Sequence, residues 1–182
     1  MKTIILAGGC FWCVEHDLKN LKGVETVVSG YSGDTQHKAD YGMVAAHLTK
    51  HREVVKVTYS KPATMRSVVQ WYLDHIDPTD GQGQFFDRGY QYEPVIYYKD
   101  ENEKNLIQEI LKELDDSKLY EKPIAVKIEP EQEFFEAEQY HQNYSKENPD
   151  AYESYAAGSG RKAHTEKICA IRSNKNMKWK YE

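Results

Sequence analysis

The sequence predicts a single α+β domain in which helices pack against a mixed β-sheet. Strand-like and helix-like segments alternate along the chain, but without the regular β-α-β count of a doubly wound parallel fold. The 182 residues fall below the length of about 250 at which one hydrophobic core usually splits into two domains. Hydrophobic residues make up 40% of the chain and charged residues 29%, which is ordinary for a protein that folds on its own.

The first part of the chain contains three predicted strands and one predicted helix. A short apolar run, Thr3–Ala7, indicates a strand, and the polar and apolar pattern that follows it, ending near Leu21, indicates a helix,. Gly23–Gly30 is rich in β-branched residues and bracketed by glycine, so it predicts a second strand. In Glu53–Tyr59 the residues Val55, Val57 and Tyr59 share one face while Lys56 and Thr58 lie on the other, which is the strongest strand pattern in the chain,.

The second part begins with a helix and a long loop. Met65–Leu73 has apolar residues at the i, i+3, i+4, i+7 and i+8 positions of an amphipathic helix,. Asp77–Gly89 is rich in Gly, Asp, Pro and Gln without periodicity, so it predicts a functional loop. The remaining elements are a strand, a helix and a last strand, predicted at Pro94–Tyr98, Asn102–Leu114 and Ile124–Ile128. Beyond Tyr144 the periodicity fades.

The segment Gly8–Glu15, with the sequence GGCFWCVE, lies at the junction of the first strand and helix. A cysteine there is surrounded by unpaired backbone N–H groups at the positive end of a helix dipole, which favours the thiolate. Cys10 is therefore a candidate nucleophile. A small buried structural cysteine is the alternative, and the flanking glycines, the two aromatic residues and the second thiol at Cys13 weigh against it.

Three further segments group polar and aromatic side chains at fixed spacing. They are Tyr41 with His51-Arg52-Glu53-Val54-Val55, then Asp87-Arg88-Gly89-Tyr90-Gln91-Tyr92, and Ala137-Glu138-Gln139-Tyr140-His141-Gln142-Asn143-Tyr144 followed by Asn148-Pro149. Together with Gly8–Glu15 they resemble the peptide methionine sulfoxide reductase A (MsrA) family. The resemblance implies a catalytic domain at residues 1–149 and a partly irregular C-terminal extension at 150–182. It also implies the two-layer, ferredoxin-like arrangement of that family.

The resemblance implies thiol-dependent reduction of methionine S-sulfoxide, which needs a nucleophile, a proton donor and an apolar slot for the methyl group. Taken alone, Glu53 at the head of a valine-rich strand indicates a solvated carboxylate. If aromatic side chains surround the Glu53 carboxyl, desolvation would raise its pKa and the carboxyl would stay protonated. The implied site residues are the nucleophile Cys10, the general acid Glu53, the sulfoxide-binding Tyr41 and Tyr92, the orienting Asp87, and the slot residues Phe11 and Trp12.

After oxygen transfer Cys10 would be a sulfenic acid that a second thiol converts to a disulfide. Cys13 lies one helical turn away, where Cα atoms are about 5 Å apart, within the range for a disulfide, although the Cβ atoms of a regular turn are too far apart. Cys169 in the polar extension is the other candidate, and a relay through both thiols stays open. The reductant would be thioredoxin, or dithiothreitol in vitro, with no bound cofactor.

The chain departs from the family pattern at two places near the site. Lys50-His51-Arg52 stands where Gly-His-Ala is usual, and Glu93 follows Tyr92 where Arg is usual. We therefore expect a changed charge around the pocket mouth, which leaves open whether free or protein-bound methionine sulfoxide is preferred. His51 and His141 are expected to serve as structural hydrogen-bonding residues.

Charge and cysteine content exclude several classes of function. The net charge of −5 argues against a nucleic-acid binder, and no segment has the length of a signal peptide core or a membrane span. Three cysteines do not make a secreted disulfide framework, and no metal-ligand spacing is present. We expect a cytoplasmic monomer. Residues 158–182 carry seven basic residues against two acidic ones, which predicts a solvated tail or, alternatively, a site for an anionic partner.

Two alternatives use the same cysteines differently. A thioredoxin-type dithiol oxidoreductase would exchange disulfides through Cys10 and Cys13 and would need neither Glu53 nor Tyr41. A redox-sensing or metal-binding module would need no turnover at all. Sulfoxide turnover with dithiothreitol favours the reductase, insulin reduction without it favours the first alternative, and bound zinc favours the second.

Overall fold

A six-stranded sheet and a separate hairpin of two short strands form the framework of the computed structural model, which describes residues 1–174. The strands are β1 (Lys2–Ala7), β2 (Val24–Ser32), β3 (Arg52–Tyr59), β4 (Gly83–Gln84), β5 (Asp87–Arg88), β6 (Val95–Tyr98), β7 (Lys127–Pro130) and β8 (Phe134–Glu136). The helices are α1 (Phe11–Lys19), α2 (Tyr41–Ala45), α3 (Met65–Asp74), α4 (Glu101–Asp116), α5 (Tyr144–Glu147), α6 (Pro149–Ser159) and α7 (Arg161–Asn174).

The strands of the large sheet lie in the order β7-β6-β1-β3-β2-β8. Neighbouring strands are antiparallel except β6 and β7, which are parallel. The predicted mixed sheet of an α+β domain is therefore confirmed. Ala7 pairs with Val54, and Tyr31 pairs with Glu53. This register places the end of β1, from which the chain enters the Cys10 turn, beside the beginning of β3.

Helices α1, α3 and α4 cover one face of this sheet. The residues that form this core include Leu6, Val55 and Val57 of the sheet and Phe11, Leu18, Val69, Leu73, Ile107 and Ile110 of the helices. The opposite face carries a smaller cluster made of Ile5, Ala7, Val54, Val95 and Tyr97. Because both of its faces are buried, β1 has the continuous apolar sequence that marked it as a strand.

The structure differs from the predicted elements at several places before the C-terminal extension. The strand expected at Ile124–Ile128 is shifted to β7, because Ala125 donates its N–H to the carbonyl of Pro78 at 2.7 Å and pairing begins only at Lys127. The elements that were not predicted are the helices α2 and α5, the hairpin of β4 and β5, and the edge strand β8. All of them are too short to show a periodicity in the sequence.

The described part of the C-terminal extension is helical rather than partly irregular. Helices α6 and α7 meet at Gly160, which has a φ of +86°. Arg161 and Arg172 are 5% and 7% exposed, so the prediction of a solvated tail is wrong for them. The three tail lysines Lys175, Lys178 and Lys180 lie outside the described residues. Within residues 1–174, no helix has the length and apolar character needed to cross a membrane.

Candidate active site

Cys10 is the N-cap residue of α1 and follows β1 after a glycine turn. Gly9 has a φ of +80°, and a Cβ there would lie 2.6 Å from the Cβ of Gln84, so the turn requires glycine. The Gly9 N–H donates to the Tyr92 carbonyl at 3.1 Å, and the Cys10 N–H donates to the Asp87 carboxylate. These contacts fix the backbone at Cys10, a residue that is 5% exposed.

Glu53 lies at the buried end of β3. The two-residue repeat of the strand places its side chain on the same face as Val55 and Val57, where Oε2 accepts the Phe11 N–H at 3.1 Å. Glu53 is 2% exposed. Burial raises its pKa to about 8, and the charge of Asp87 adds to the rise, although the Phe11 N–H opposes it. The carboxyl is therefore protonated at neutral pH and can donate a proton.

A cavity of about 70 Å³ opens between these groups. Since one water needs about 10–15 Å³ of such space, the cavity holds about five to seven heavy atoms. It fits a small polar group. The lining residues are Cys10, Phe11, Trp12, Tyr41, Glu53, Asp87, Tyr92 and Tyr155. Seven of these eight are the site residues expected from the sequence, and Tyr155 is the one that sequence reasoning missed.

Two tyrosines supply hydroxyl groups to the cavity. Burial raises the pKa of both Tyr41 and Tyr92, and the charge of Glu53 adds to it, so both hydroxyls keep their protons. Glu138 positions Tyr41, because its Oε1 accepts the Tyr41 N–H at 2.9 Å and its Oε2 accepts the Tyr31 hydroxyl at 2.8 Å. Glu138 was not assigned a role from the sequence, although it stands in a segment that carried the resemblance.

Trp12 forms a fixed wall of the cavity. Its indole N–H donates to Nδ1 of His141 at 3.0 Å, and its ring stacks on Tyr144 with centroids 3.8 Å apart. Burial lowers the pKa of His141, which keeps the imidazole neutral and Nδ1 free to accept. His51 lies outside the cavity, where its Nε2 is 3.0 Å from the Thr35 carbonyl. Both histidines thus make structural hydrogen bonds.

Tyr155 of α6 brings the C-terminal extension into the site. Its hydroxyl donates to the Asp87 carboxylate, which also accepts the Cys10 N–H. Its ring meets the Trp12 ring edge-on, with centroids 6.0 Å apart. The only sequence signal was the spacing of Tyr152 and Tyr155, which places both on one side of a helix.

Cys10 and Cys13 are hydrogen-bonded through their side chains. Burial raises the pKa of Cys10 well above its usual value, and the nearby Glu53 and Asp87 carboxyls add to the rise. The expectation that the helix N-terminus keeps Cys10 as a thiolate is therefore wrong, because desolvation outweighs the helix dipole. The hydrogen bond from Cys10 lowers the pKa of Cys13, and the positive charge of Arg161 also lowers it.

Cys169 is not brought to the site. It is exposed on α7, eight residues after Arg161, whose Nη2 reaches the Gly8 carbonyl at 2.8 Å. At about 1.5 Å per residue, Cys169 lies about 12 Å farther along the helix axis. Partial burial also raises its pKa. Of the two candidate resolving thiols, Cys13 alone is in contact with Cys10.

Arg52 and Glu93, which lie at the two places where the chain departs from the family pattern, form an ion pair with each other. Arg52 is 2% exposed, and its Nη2 lies 3.0 Å from Glu93 while its Nη1 lies 2.9 Å from Glu129. Nη1 also donates to the Tyr97 hydroxyl at 3.2 Å, on the sheet face opposite Glu53. The expected change of charge at the pocket mouth is therefore wrong for Arg52 and Glu93, since these two residues neutralise each other away from the cavity.

Comparison with known proteins identifies the family. Residues 2–172 match the sequence model of the family described as peptide methionine sulfoxide reductase. The chain belongs to the peptide methionine sulfoxide reductase family. Peptide methionine sulfoxide reductase MsrA 2 of Staphylococcus aureus (strain MW2) is 43% identical over 162 residues, which cover 88% of this chain and 92% of that protein.

Solved structures agree with this assignment. The reduced form of Mxr1 from Saccharomyces cerevisiae is 31% identical, with a TM-score of 0.75 over 81% of this chain and 86% of that one. Methionine sulfoxide reductase A of Corynebacterium diphtheriae is 27% identical, with a TM-score of 0.69 over 81% of this chain and 75% of that one. Family membership favours the reductase over the dithiol oxidoreductase and the sensor. Residues 1–174 contain no cluster of three or more potential metal ligands.

The pKa of Glu53 predicts how its replacement changes stability. The carboxyl has a pKa of about 8 in the folded chain and about 4.3 in an unfolded one, so its ionisation destabilises the fold as pH rises through this interval. Glu53→Gln keeps an acceptor for the Phe11 N–H and does not titrate. We expect the gain in free energy of unfolding over wild type to be larger at about pH 9 than at about pH 5 by roughly 2–4 kcal/mol.

Urea denaturation of both proteins at the two pH values measures this gain. A gain that is equal at both values would show that Glu53 ionises as easily in the folded chain as in the unfolded one.

Proposed function

We propose that this chain reduces the S epimer of methionine sulfoxide, free or in proteins, through a Cys10 sulfenic acid and a Cys10–Cys13 disulfide. The observation that carries the proposal is the grouping of a thiol, a carboxyl that keeps its proton and two tyrosine hydroxyls around one cavity of about 70 Å³. A methylsulfinyl group with its adjoining carbon has four heavy atoms, which suits that volume. Membership of the family supports the same reaction.

In the first step the sulfoxide oxygen accepts hydrogen bonds from Glu53, Tyr41 and Tyr92, which makes its sulfur electrophilic. The sulfur of Cys10 attacks this sulfur and forms an S–S bond while the S–O bond of the substrate breaks. The released hydroxide then bonds to the sulfur of Cys10, the S–S bond breaks, and Cys10 is left as a sulfenic acid. Methionine leaves, reduced by the two electrons that Cys10 has lost. No proton is consumed overall, because the thiol proton of Cys10 replaces the one that Glu53 donates.

In the second step the Cys13 thiolate attacks the sulfur of the Cys10 sulfenic acid. An S–S bond forms, the S–O bond breaks, and hydroxide takes up the proton that Cys13 released and leaves as water. Cys10 has φ −57° and ψ 122° and so stands outside the regular helix. The spacing of a regular helical turn, which would keep the two Cβ atoms too far apart for a disulfide, therefore does not apply to this pair.

The disulfide must be reduced by an external dithiol, and we assign this role to thioredoxin, with dithiothreitol as its substitute in vitro. Mxr1 from Saccharomyces cerevisiae has been solved in complex with Trx2, which supports a partner of this kind. We further propose a monomer in the cytoplasm, because all the groups of the site come from one chain and the cycle depends on a reducing environment. Since Tyr155 lines the cavity, the active unit includes the described part of the 150–182 extension as well as residues 1–149.

We expect the enzyme to consume the S epimer of methionine sulfoxide and to leave the R epimer. The reason is that the fixed Trp12 ring and the hydroxyls of Tyr41 and Tyr92 define one handed arrangement of methyl group, oxygen and chain, and each epimer has its own enzyme class. Chiral chromatography of the substrate left from a racemic mixture with dithiothreitol measures the preference. Preferential loss of the R epimer, or reduction of insulin without sulfoxide turnover, would refute the proposal.

A further inference from the structure

Arg161, the first residue of α7, reaches from the C-terminal extension to the back of the Cys10 turn. Its guanidinium Nη2 donates to the Gly8 carbonyl at 2.8 Å, and Nη1 donates to the His75 carbonyl at 2.6 Å. A Cβ on Gly9 would lie 3.2 Å from Nη2. Arg161 thus contacts the two residues before the nucleophile from a position where it is 5% exposed.

The positive charge of Arg161 is incompletely neutralised. A guanidinium keeps its charge at all relevant pH values. The two carbonyl groups that accept its hydrogen bonds carry no net charge, so they do not neutralise it. Asp17 is the one carboxylate within ion-pair distance among residues 1–174, at 3.5 Å, and burial raises its pKa. A buried cation with weak compensation is costly to fold. The groups on which this charge also acts include Cys10, Cys13 and Tyr152.

We propose that Arg161 is a positioning residue for the resolving step: it holds the Gly8-Gly9 turn and stabilises negative charge on Cys13 while Cys13 attacks Cys10. This inference rests on the proposed function. The S–S bond forms as the S–O bond of the sulfenic acid breaks, and the released hydroxide leaves as water with the proton of Cys13. The extension thereby takes part in recycling through Arg161 rather than through Cys169.

The ionisation of Cys13 depends on groups from each element packed around it. The charged and titratable groups that face it are Cys10, Asp17, Glu53, Tyr152, Tyr155 and Arg161. Among them Arg161 is the cation, so its removal leaves Cys13 facing groups that are neutral or negative. We expect Arg161→Met to raise the pH midpoint for Cys13 ionisation by about 1–2 units.

The test separates disulfide closure from sulfoxide reduction. Reduced wild type, Arg161→Met, Arg161→Lys and Arg172→Met are mixed with substrate without reductant, and methionine and free thiols are followed over a range of pH. Arg172 is the matched control, because it anchors the same helix through Asp74 at 2.6 Å without acting on Cys13. We expect Arg161→Met to slow closure about 3–15-fold at neutral pH, since the lower thiolate fraction is partly offset by higher nucleophilicity. Disulfide closure in Arg161→Lys and Arg172→Met should keep the wild-type pH midpoint. Methionine release is followed separately, and Arg161→Met should slow it less than it slows closure.

A second measurement does not depend on turnover. In a Cys10→Ser, Cys169→Ser background Cys13 is the single thiol, and its ionisation is read from thiolate ultraviolet absorbance with and without Arg161→Met. An unchanged midpoint, or equal slowing of closure in Arg161→Met and Arg172→Met, would overturn the role of Arg161. Absence of sulfoxide reduction in wild type would instead refute the proposed function.

Discussion

Glu53→Gln is expected to lower the rate of methionine formation by about 10²–10⁴-fold, the usual contribution of a positioned general acid. The amide keeps an acceptor for the Phe11 N–H, so the site keeps its shape, but it cannot supply a proton to the sulfoxide oxygen. Single-turnover assays, in which one equivalent of methionine is released without reductant, isolate this step from recycling.

The tyrosines provide the matched comparison for this variant. Tyr41→Phe and Tyr92→Phe are each expected to have smaller effects, because each leaves the other hydroxyl in place beside Glu53. Far-ultraviolet circular dichroism of all three variants checks that the fold is retained. Single-turnover reduction by Glu53→Gln at the wild-type rate would mean that Glu53 is only a buried structural carboxyl.

Cys13→Ser is expected to release one equivalent of methionine at the wild-type rate and then to lose thioredoxin-dependent turnover by about 10²-fold or more. The reason is that an adjacent thiol attacks the sulfenic acid with the high effective concentration of an intramolecular reaction, which a separate protein does not match. Turnover with thioredoxin, its reductase and NADPH measures the loss, and dithiothreitol, which is small, should restore part of it.

Cys169→Ser is the control for this prediction and should behave as wild type, because Cys169 is exposed on α7 and distant from the cavity. Undiminished thioredoxin-dependent turnover in Cys13→Ser, together with its loss in Cys169→Ser, would reverse the assignment and leave Cys13 as a residue that packs α1.

The resemblance to the family assigned the roles of the site residues, and local patterns in the sequence placed some of those residues on their elements. The alternation of β3 fixes the side of the sheet that Glu53 faces, and the strand, glycine turn and helix around Cys10 fix its place as N-cap. The loop that carries Asp87 was marked by its length and composition, and Tyr92 follows three residues after its end. These signals lie within short stretches of the sequence, and the structure contains the elements that they predict.

The rest depends on contacts between distant parts of the chain. Tyr155 and Arg161 lie in helices with few buried residues and no clear apolar periodicity, so nothing local directs them to the cavity. The raised pKa of Cys10 results from burial by surrounding elements. The pairing of Arg52 with Glu93 joins residues 41 positions apart, and each alone looked like a changed surface charge.

The disulfide that forms in wild type tests the central claim most directly. The reduced protein is mixed with one equivalent of methionine S-sulfoxide in the absence of reductant, free thiols are blocked, and the peptides are mapped by mass spectrometry. The account predicts a Cys10–Cys13 disulfide with Cys169 blocked as a free thiol. A Cys10–Cys169 disulfide with Cys13 blocked would contradict it.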